Sequence, residues 1–187
     1  MKHQVFPDVV LISGAIDSPD THKASWFSKV WTDFIYDGAI DFDALGCDPF
    51  ARDCKLANFT NDLDEDTTAE EHKPALEFLE TFKTDSLEYV IFDPPFSQRQ
   101  ADDKYRGVGF NLYASDGAII TRCLKESVRI VKPNGYILKF GYNCNTFHYN
   151  MELVKLWIVQ KTHGSHNNTT IVSLWQNQQK SLNDFSN

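Results

Sequence analysis

The feature that most constrains the fold is an apolar run that ends at two prolines. Leu87–Phe92 has the length and the β-branched and aromatic content of a buried strand. Asp93, Pro94, Pro95 and Phe96 follow it directly. Proline fixes φ, lacks an N–H group and keeps the preceding residue out of the helical region. The segment that follows the strand must therefore be rigid and extended. The pattern predicts a strand end that presents an acid, two carbonyl groups without ladder partners and an aromatic ring.

These groups suit a planar ligand that carries an amino group. The Asp93 carboxylate and the carbonyls of Pro94 and Pro95 can accept hydrogen bonds from –NH2, while the Phe96 ring can stack on a planar ring. An adenine or cytosine swung out of a nucleic acid offers both features. The alternative is that the tetrapeptide is only a turn that ends a strand, but the pattern around it favours a site.

The rest of the chain predicts alternating strands and helices. Apolar residues recur at helical spacing in three stretches, residues 21–37, 67–82 and 116–131. Asp20 or Thr21 is a suitable N-cap for the first helix, and Thr67 with Glu70 forms a capping box at the start of the second. Strand patterns occupy residues 9–12, 39–48, 56–61, 87–92, 136–141, 153–159 and 169–175.

This order predicts a single domain over residues 1–187 with a three-layer, Rossmann-like α/β fold. The sheet should be mainly parallel and end in a C-terminal antiparallel hairpin. Only about eight residues separate the second and third strands, fewer than a crossover helix needs, so this connection must be short or irregular. Asp48, Asp62, Asp64 and Asp93 all fall at or just beyond strand ends. Because ligands of such folds bind at the carboxyl ends of the strands, we expect a site on this rim.

A polar stretch, residues 97–115, follows the double proline. It has no clear periodicity and contains two glycines, which predicts a mobile loop beside the site. Arg99, Lys104 and Arg106 lie within it. They could serve only solubility, but their position favours contacts with the phosphates of a nucleic acid.

The overall charge argues against a nucleic-acid substrate. The chain has 26 Asp and Glu against 18 Lys and Arg, a formal net charge of −8. Affinity for nucleic acid comes largely from neutralised phosphates, so an acidic chain starts at a disadvantage. A local basic patch can suffice, however, and many of the acids cluster within residues 62–80, away from the tetrapeptide.

Other features predict a cytosolic protein with reduced thiols and no metal. The four cysteines form no CxxC pair, and Cys54 is best interpreted as a small buried apolar group. His163 and His166 could hold a metal, but a solvated turn is the preferred interpretation. The sequence shows neither a signal-peptide pattern at its start nor an apolar run of the roughly 20 residues that span a bilayer.

Three motifs, taken together with their order along the sequence, resemble those of S-adenosylmethionine-dependent amino-methyltransferases. They resemble more closely the small adenine-specific DNA methylases of phages and prophages. The family's catalytic Asp-Pro-Pro-aromatic strand end corresponds to Asp93–Phe96. Its Asp-Pro-Phe strand end in the cofactor site corresponds to residues 48–50. Its Thr-x-Lys-Pro helix start corresponds loosely to residues 21–24, with Ala24 in place of proline. The family's glycine-rich continuation is absent, since residues 51–54 read Ala-Arg-Asp-Cys.

The resemblance implies a role for each matching residue on the acceptor side. Asp93 and the Pro94 carbonyl would accept hydrogen bonds from the target amino group, with Pro95 completing the motif and Phe96 stacking on the flipped base. No strong general base is needed if the proton leaves after transfer, so positioning supplies most of the acceleration.

The resemblance also implies a cofactor site for S-adenosylmethionine. Asp48 would face the amino or sulfonium region, with Pro49 and Phe50 beside it. The ribose hydroxyls would be bound by Asp62 or Asp64. The methionine carboxylate would be held by Lys23 and Ser25.

The leading interpretation is therefore an N6-adenine DNA methyltransferase encoded by a phage or prophage and acting in the cytoplasm of a bacterial cell, away from membranes. Other amino acceptors are RNA adenine, the N4 of cytosine and a protein amide. The aspartate at position 93 favours adenine, because the resemblance links serine there to cytosine and asparagine to amides. A catalytically silent relative that acts through a protein partner is the alternative from another class. Since a separate target-recognition domain is not expected, sequence choice would rest on residues 97–115, on a partner or on a homodimer.

Overall fold

The computed structural model describes residues 7–14, 20–37, 40–41, 43–105, 118–143, 150–161 and 169–178. These residues form one seven-stranded sheet and four α-helices. The strands are β1 (Asp8–Gly14), β2 (Gly46–Asp48), β3 (Phe59–Thr60), β4 (Leu87–Phe92), β5 (Val131–Gly141), β6 (Met151–Lys161) and β7 (Thr170–Asn177). The helices are α1 (Phe27–Asp37), α2 (Ala75–Glu80), α3 (Gln98–Lys104) and α4 (Ala118–Ile130).

The sheet has the strand order β1-β6-β7-β5-β4-β2-β3. Strand β7 is antiparallel to both of its neighbours, β5 and β6, and the other pairs are parallel. The predicted α/β sheet, mainly parallel with a C-terminal antiparallel hairpin, is confirmed. The predicted edge strand near the N-terminus is also confirmed, since β1 lies at one end of the sheet.

Helices cover both faces of the sheet, which gives the three predicted layers. On one face, Val30 and Phe34 of α1 pack with Ile91 of β4 in one core cluster. On the other face, α2 and α4 pack with Val90 and Phe92 of the same strand in a second cluster. Successive residues of β4 therefore face opposite cores, as the alternation of side chains along a strand requires.

The position of the site follows from how the chain crosses the sheet. Strand β2 lies between β3 on one side and β4 on the other. The chain thus runs outward from β2 to β3 and then returns to form β4 on the other side of β2. Residues 49–58, which join β2 to β3, contain no helix, so the predicted irregular connection is confirmed. The strand order reverses between β2 and β4, and such a switch point is where open α/β sheets bind their ligands.

The first helix begins later than predicted. Thr21–Lys23 is a separate 3₁₀ turn, Ala24 is extended, and α1 begins at Phe27. Asp20 does not cap the turn through its side chain. Its carboxylate lies instead near the Lys23 ammonium and the Arg52 guanidinium, so an ion pair replaces the predicted cap.

The second helix also begins later than predicted, at Ala75 instead of Thr67. Proline at position 74 disfavours helical backbone in the residue before it, so a helix cannot run through that point. The preceding segment pairs instead with the end of β3, where the Glu70 N–H donates to the Thr60 hydroxyl. The Thr67 hydroxyl donates to the Asp64 carbonyl. The predicted capping box is therefore wrong.

Part of the predicted loop 97–115 is helical. Gln98–Lys104 forms α3, capped by the Ser97 hydroxyl, which accepts a hydrogen bond from the Gln100 N–H. A mobile loop is therefore the wrong prediction for this part, while residues 106–115 lie outside the described residues. Strands β2 and β3 are shorter than the stretches predicted for them. None of the helices in the described ranges is long and apolar enough to cross a membrane.

Candidate active site

A cleft opens at the carboxyl edge of the sheet, at the switch point between β2 and β4. It brings together two strand ends that the sequence singles out separately. The predicted site residues that line it are Asp48, Phe50, Asp93, Pro94, Pro95 and Phe96. Pro49 is buried beneath them, and its carbonyl accepts a hydrogen bond from the Asn61 side chain at 3.2 Å.

Asp48 is the buried acid of the cleft. Asp48 is only 3% exposed, and one of its carboxylate oxygens accepts a hydrogen bond from the Phe50 N–H at 2.9 Å. Burial raises the pKa of the Asp48 carboxyl well above its usual range, and the nearby carboxylates of Asp93 and Asp62 raise it further. A positive charge placed in the cleft would stabilise the ionised form of this group.

The tetrapeptide after β4 is held in place from α3. Pro94 is buried, whereas Asp93, Pro95 and Phe96 are partly exposed toward the cleft. The Gln100 side-chain oxygen accepts a hydrogen bond from the Phe96 N–H at 2.7 Å. The exit from the strand is therefore fixed both by the two prolines and by a side chain of the following helix.

More acidic than basic side chains line the cleft. Asp20, Asp48 and Asp93 line it together with one guanidinium, that of Arg52. Arg52 lies 3.5 Å from Asp20 and 3.6 Å from the Asp64 carboxylate, so its own charge is already balanced. His22 also lines the cleft, and burial lowers the pKa of its imidazole, which keeps the ring largely neutral at neutral pH.

Aromatic and aliphatic side chains form the rest of the cleft wall. Phe27, Phe50, Ile91 and Phe140 contribute apolar surface. Phe27 and Phe140 stack on each other with ring centroids 5.8 Å apart. The cleft thus combines an acidic lining with flat apolar walls, which suits a ligand that has a positive charge and a planar ring.

The two acids after β3 do not line the cleft. Asp62 is fully buried, and its carboxylate accepts hydrogen bonds from the N–H groups of Arg52 and Asp64, both at 3.0 Å, and from the Tyr105 hydroxyl at 3.4 Å. Burial raises the pKa of Asp62. Asp64 is more exposed and pairs with Arg52. These acids brace the segment after β2, and a role for either in binding ribose stays a prediction.

Lys23 and Ser25 lie in a second cavity beside the cleft. The two spaces share a wall made by His22, Phe27 and Cys54. Both Lys23 and Ser25 precede α1, so they are not part of a helical first turn as predicted. The Lys23 ammonium lies 3.1 Å from the Asp20 carboxylate and 3.5 Å from the Asp53 carboxylate. Binding of a ligand carboxylate by these two residues stays a prediction.

The predicted phosphate contacts lie on and after α3. The Arg99 side chain is 90% exposed and lies 4.0 Å from the Asp103 carboxylate. Lys104 ends α3, but its side chain and the whole of Arg106 lie outside the described part of the structure. The negative charges of Asp102 and Asp103 balance the positive charges of Arg99 and Lys104, so α3 carries no net charge.

The thiols that the structure describes are buried and unpaired, as expected. They belong to Cys47, Cys54 and Cys123. Burial raises the pKa of Cys54 to about 12, so this thiol at the cleft wall stays protonated at neutral pH. No group of His, Cys, Asp or Glu side chains that could hold a metal ion occurs among the described residues. His163 and His166 lie outside them.

Sequence reasoning missed several residues of the cleft and its mouth. These are Asp20, His22, Arg52, Gln100, Tyr105 and Tyr142. Tyr142 could have been found, because it follows the predicted strand β5 much as Phe96 follows β4. Asp20 and His22 lie at the 3₁₀ turn that precedes α1, and Arg52 lies in the connection between β2 and β3. Gln100 lies on α3 and Tyr105 directly follows it, and this helix was not predicted.

No protein-family model matches the chain, and no curated protein matches it. A candidate methyltransferase from Escherichia coli has a TM-score of 0.49 at 16% identity, over 81% of this chain and 84% of that one. A candidate methylase from Haemophilus influenzae has a TM-score of 0.49 at 20% identity, over 81% and 98% of the two chains. A candidate methyltransferase from Streptococcus mutans, in complex with SAH, has a TM-score of 0.49 at 10% identity, over 80% and 97%.

Proposed function

We propose that this chain transfers a methyl group from S-adenosylmethionine to the exocyclic N6 amine of adenine in DNA. One observation carries the proposal. The Asp93–Phe96 tetrapeptide leaves β4 at the switch point of the sheet and lines the same cleft as Asp48 and Phe50 at the end of β2. An acceptor site for an amino group thus adjoins an acidic, partly aromatic ligand site.

The cleft residues fit this cofactor. S-adenosylmethionine carries a net positive charge at neutral pH. Of the acids that line the cleft, Asp20 is paired with Arg52 and Lys23, and Asp48 is the acid that a bound cation would ionise. Asp48 would hold the sulfonium or amino region, and Phe50 would pack beside it with Pro49 beneath. When bound, the cofactor supplies a methyl group on a positively charged sulfur.

Two further parts of the cofactor site belong to the proposal. Lys23 and Ser25 would bind the carboxylate, because their cavity adjoins the cleft at His22. Asp64 is the better candidate for the ribose hydroxyls, because the Asp62 carboxylate is fully buried and already accepts three hydrogen bonds.

Asp93 and the Pro94 carbonyl would accept hydrogen bonds from the two N–H groups of the amine. This holds the nitrogen lone pair out of conjugation with the ring and directs it toward the cleft. The methyl carbon would bond to the acceptor nitrogen as its bond to sulfur breaks, with the electrons of that bond left on sulfur, and the proton that the nitrogen loses would pass to water. Orientation of this kind supplies a large part of the rate in reactions between two bound groups.

DNA is the proposed polymer, with RNA as the nearest alternative. The Arg99 side chain is 90% exposed and is therefore accessible to a phosphate, and Lys104 and Arg106 would extend the contact along the chain. Because the chain is acidic overall, a protein partner or a second copy would strengthen binding. The proposed setting is the cytoplasm of a bacterial cell, with the protein encoded by a phage or prophage.

The test is transfer of a labelled methyl group to unmethylated duplex DNA, with RNA alongside, at low and moderate salt. Digestion to nucleosides and chromatography identify the product. The proposal predicts label in N6-methyladenine from DNA. Label only in RNA or only in N4-methylcytosine would keep the chemistry and replace the substrate. Cofactor binding with no label in either polymer would overturn the assignment to nucleic acid.

A further inference from the structure

We propose that Tyr142 and Gln100 position the Phe96 ring for the acceptor base. This inference rests on the proposed function, because it assigns Phe96 the contact with the base. It concerns Tyr142, which acts through Phe96, and Gln100, which lines the cleft and bonds to both of them.

Tyr142 and Phe96 meet because their strands are neighbours. Strands β4 and β5 are parallel, and Phe92 pairs with Lys139 near their carboxyl ends. The segments that follow these two strands therefore leave the sheet side by side. The centroids of the Phe96 and Tyr142 rings are 5.0 Å apart, and the ring planes make an angle of 72°. Edge-to-face contact of this kind restricts the orientation of both rings.

Gln100 ties the same two residues together with one side chain. Its oxygen accepts a hydrogen bond from the Phe96 N–H at 2.7 Å, and its nitrogen donates to the Tyr142 hydroxyl at 3.3 Å. A carboxamide can do both, since it carries an acceptor and a donor. Gln100 is itself placed by the Ser97 cap at the first turn of α3. The backbone of Phe96 and the ring that touches it are thus fixed by one group.

The positions of these residues relative to the cleft define their role. Phe96 lines the cleft, and Tyr142, which is 42% exposed, is not among the residues that line it. Tyr142 therefore reaches a ligand in the cleft through Phe96. Without Tyr142 the Phe96 ring can turn more freely, and part of the orientation needed for transfer is lost.

A double-mutant cycle tests this role. Transfer is measured as kcat and KM for the nucleic acid in wild type, Tyr142→Ala, Phe96→Ala and the double variant. We expect Tyr142→Ala to lower kcat/KM about tenfold in the wild-type background, a modest part of what misplacement can cost. In the Phe96→Ala background we expect no further loss, because residues that act through one another are not additive. Tyr142→Phe keeps the ring and should lose less.

Two controls separate positioning from a general effect on the fold. Tyr36 is an 83% exposed tyrosine on α1, and Tyr36→Ala should leave transfer unchanged. A fluorine label on the Phe96 ring reports its surroundings without any activity. Its NMR signal should shift in Tyr142→Ala and in Gln100→Ala, and it should stay in place in Tyr36→Ala.

The possible outcomes distinguish a failure of this inference from a failure of the proposed function on which it rests. Equal losses in both backgrounds would show that Tyr142 acts independently of Phe96, and the inference would be wrong. An unchanged fluorine signal in Tyr142→Ala would overturn it as well. If the wild type transfers no methyl group but the fluorine signal still shifts, the contact stands, and the proposed function fails along with its assignment of the base to Phe96.

Discussion

At the scale of single residues, Asp48 determines how the cleft can work. A carboxyl group that is almost fully buried next to two other acids is costly to ionise. The chain tolerates this cost at the switch point of the sheet, the place where a ligand is expected. A cationic ligand would remove much of the cost, so binding and ionisation of Asp48 should be coupled.

This coupling predicts that binding of S-adenosylmethionine releases protons. A bound cation favours the ionised carboxylate and lowers the pKa of Asp48, which is raised in the free protein. Affinity should therefore increase as the pH rises through the pKa of the free protein. Calorimetry in buffers of different ionisation enthalpy measures the number of protons released. Asp48→Asn should abolish the release, whereas Asp43→Asn, at an exposed position before β2, should preserve it.

Asp48 also predicts a dependence of stability on pH. Its pKa is higher in the folded than in the unfolded chain, so the folded state binds more protons between the two values and loses stability as the pH rises through them. At neutral pH we expect Asp48→Asn to increase the free energy of unfolding, because asparagine fills the buried site without a cost of ionisation. The gain should shrink as the pH falls toward about 4 and vanish below it, where the unfolded carboxyl is itself protonated. A loss of stability in urea unfolding at neutral pH would contradict this account.

At the scale of elements, strands were predicted better than helix starts. The stretch 87–92 is β4 in full, because a short apolar run and two prolines are local signals. The predicted start of α2 is wrong, because Glu70 and Glu71 pair with Thr60 and Asn61 at the end of β3. Such a pairing between two segments is not visible in the helical periodicity of one segment. The same limit applies to the site. Asp48 and Asp93 lie at the ends of strands that local patterns predict. Gln100 and Tyr142 are 42 residues apart in the sequence, so no local pattern predicts their contact.

Helix α3 was also missed, and its cap can be tested. Ser97→Ala removes the hydroxyl that accepts the Gln100 N–H, which should destabilise this seven-residue helix by about 1 kcal/mol. Faster hydrogen exchange of the α3 amides and slower methyl transfer should follow together, since α3 carries Gln100. Ser97→Asp supplies another capping oxygen and should retain both properties. Unchanged exchange in Ser97→Ala would show that the cap does not hold the helix.

At the scale of the whole molecule, the main problem is charge. The proposed substrate is a polyanion, and a chain with a formal net charge of −8 would bind it through few cations. The slope of log affinity against log salt grows with the number of phosphates that the protein neutralises. We therefore expect a shallow salt dependence, to which each contacting cation contributes a measurable part.

Arg99 gives the test of this expectation. Arg99→Ala should reduce the slope of log affinity for DNA against log salt by about 1. Lys83→Ala removes the same charge from the connection between α2 and β4, at the opposite edge of the sheet, and should leave the slope unchanged. Fluorescence anisotropy with a labelled duplex measures both. Equal slopes for Arg99→Ala and the wild type would place the phosphate contacts elsewhere.

The most direct test of the central claim compares binding and transfer in Asp93→Ala. The claim is that the strand end at Asp93 holds the acceptor amine, while the cofactor is held mainly from the end of β2. The account predicts that the dissociation constant for S-adenosylmethionine changes by less than about threefold, while the single-turnover transfer rate falls by about a hundredfold or more. Asp43→Ala serves as the matched control. Transfer by Asp93→Ala at the wild-type rate would contradict the account.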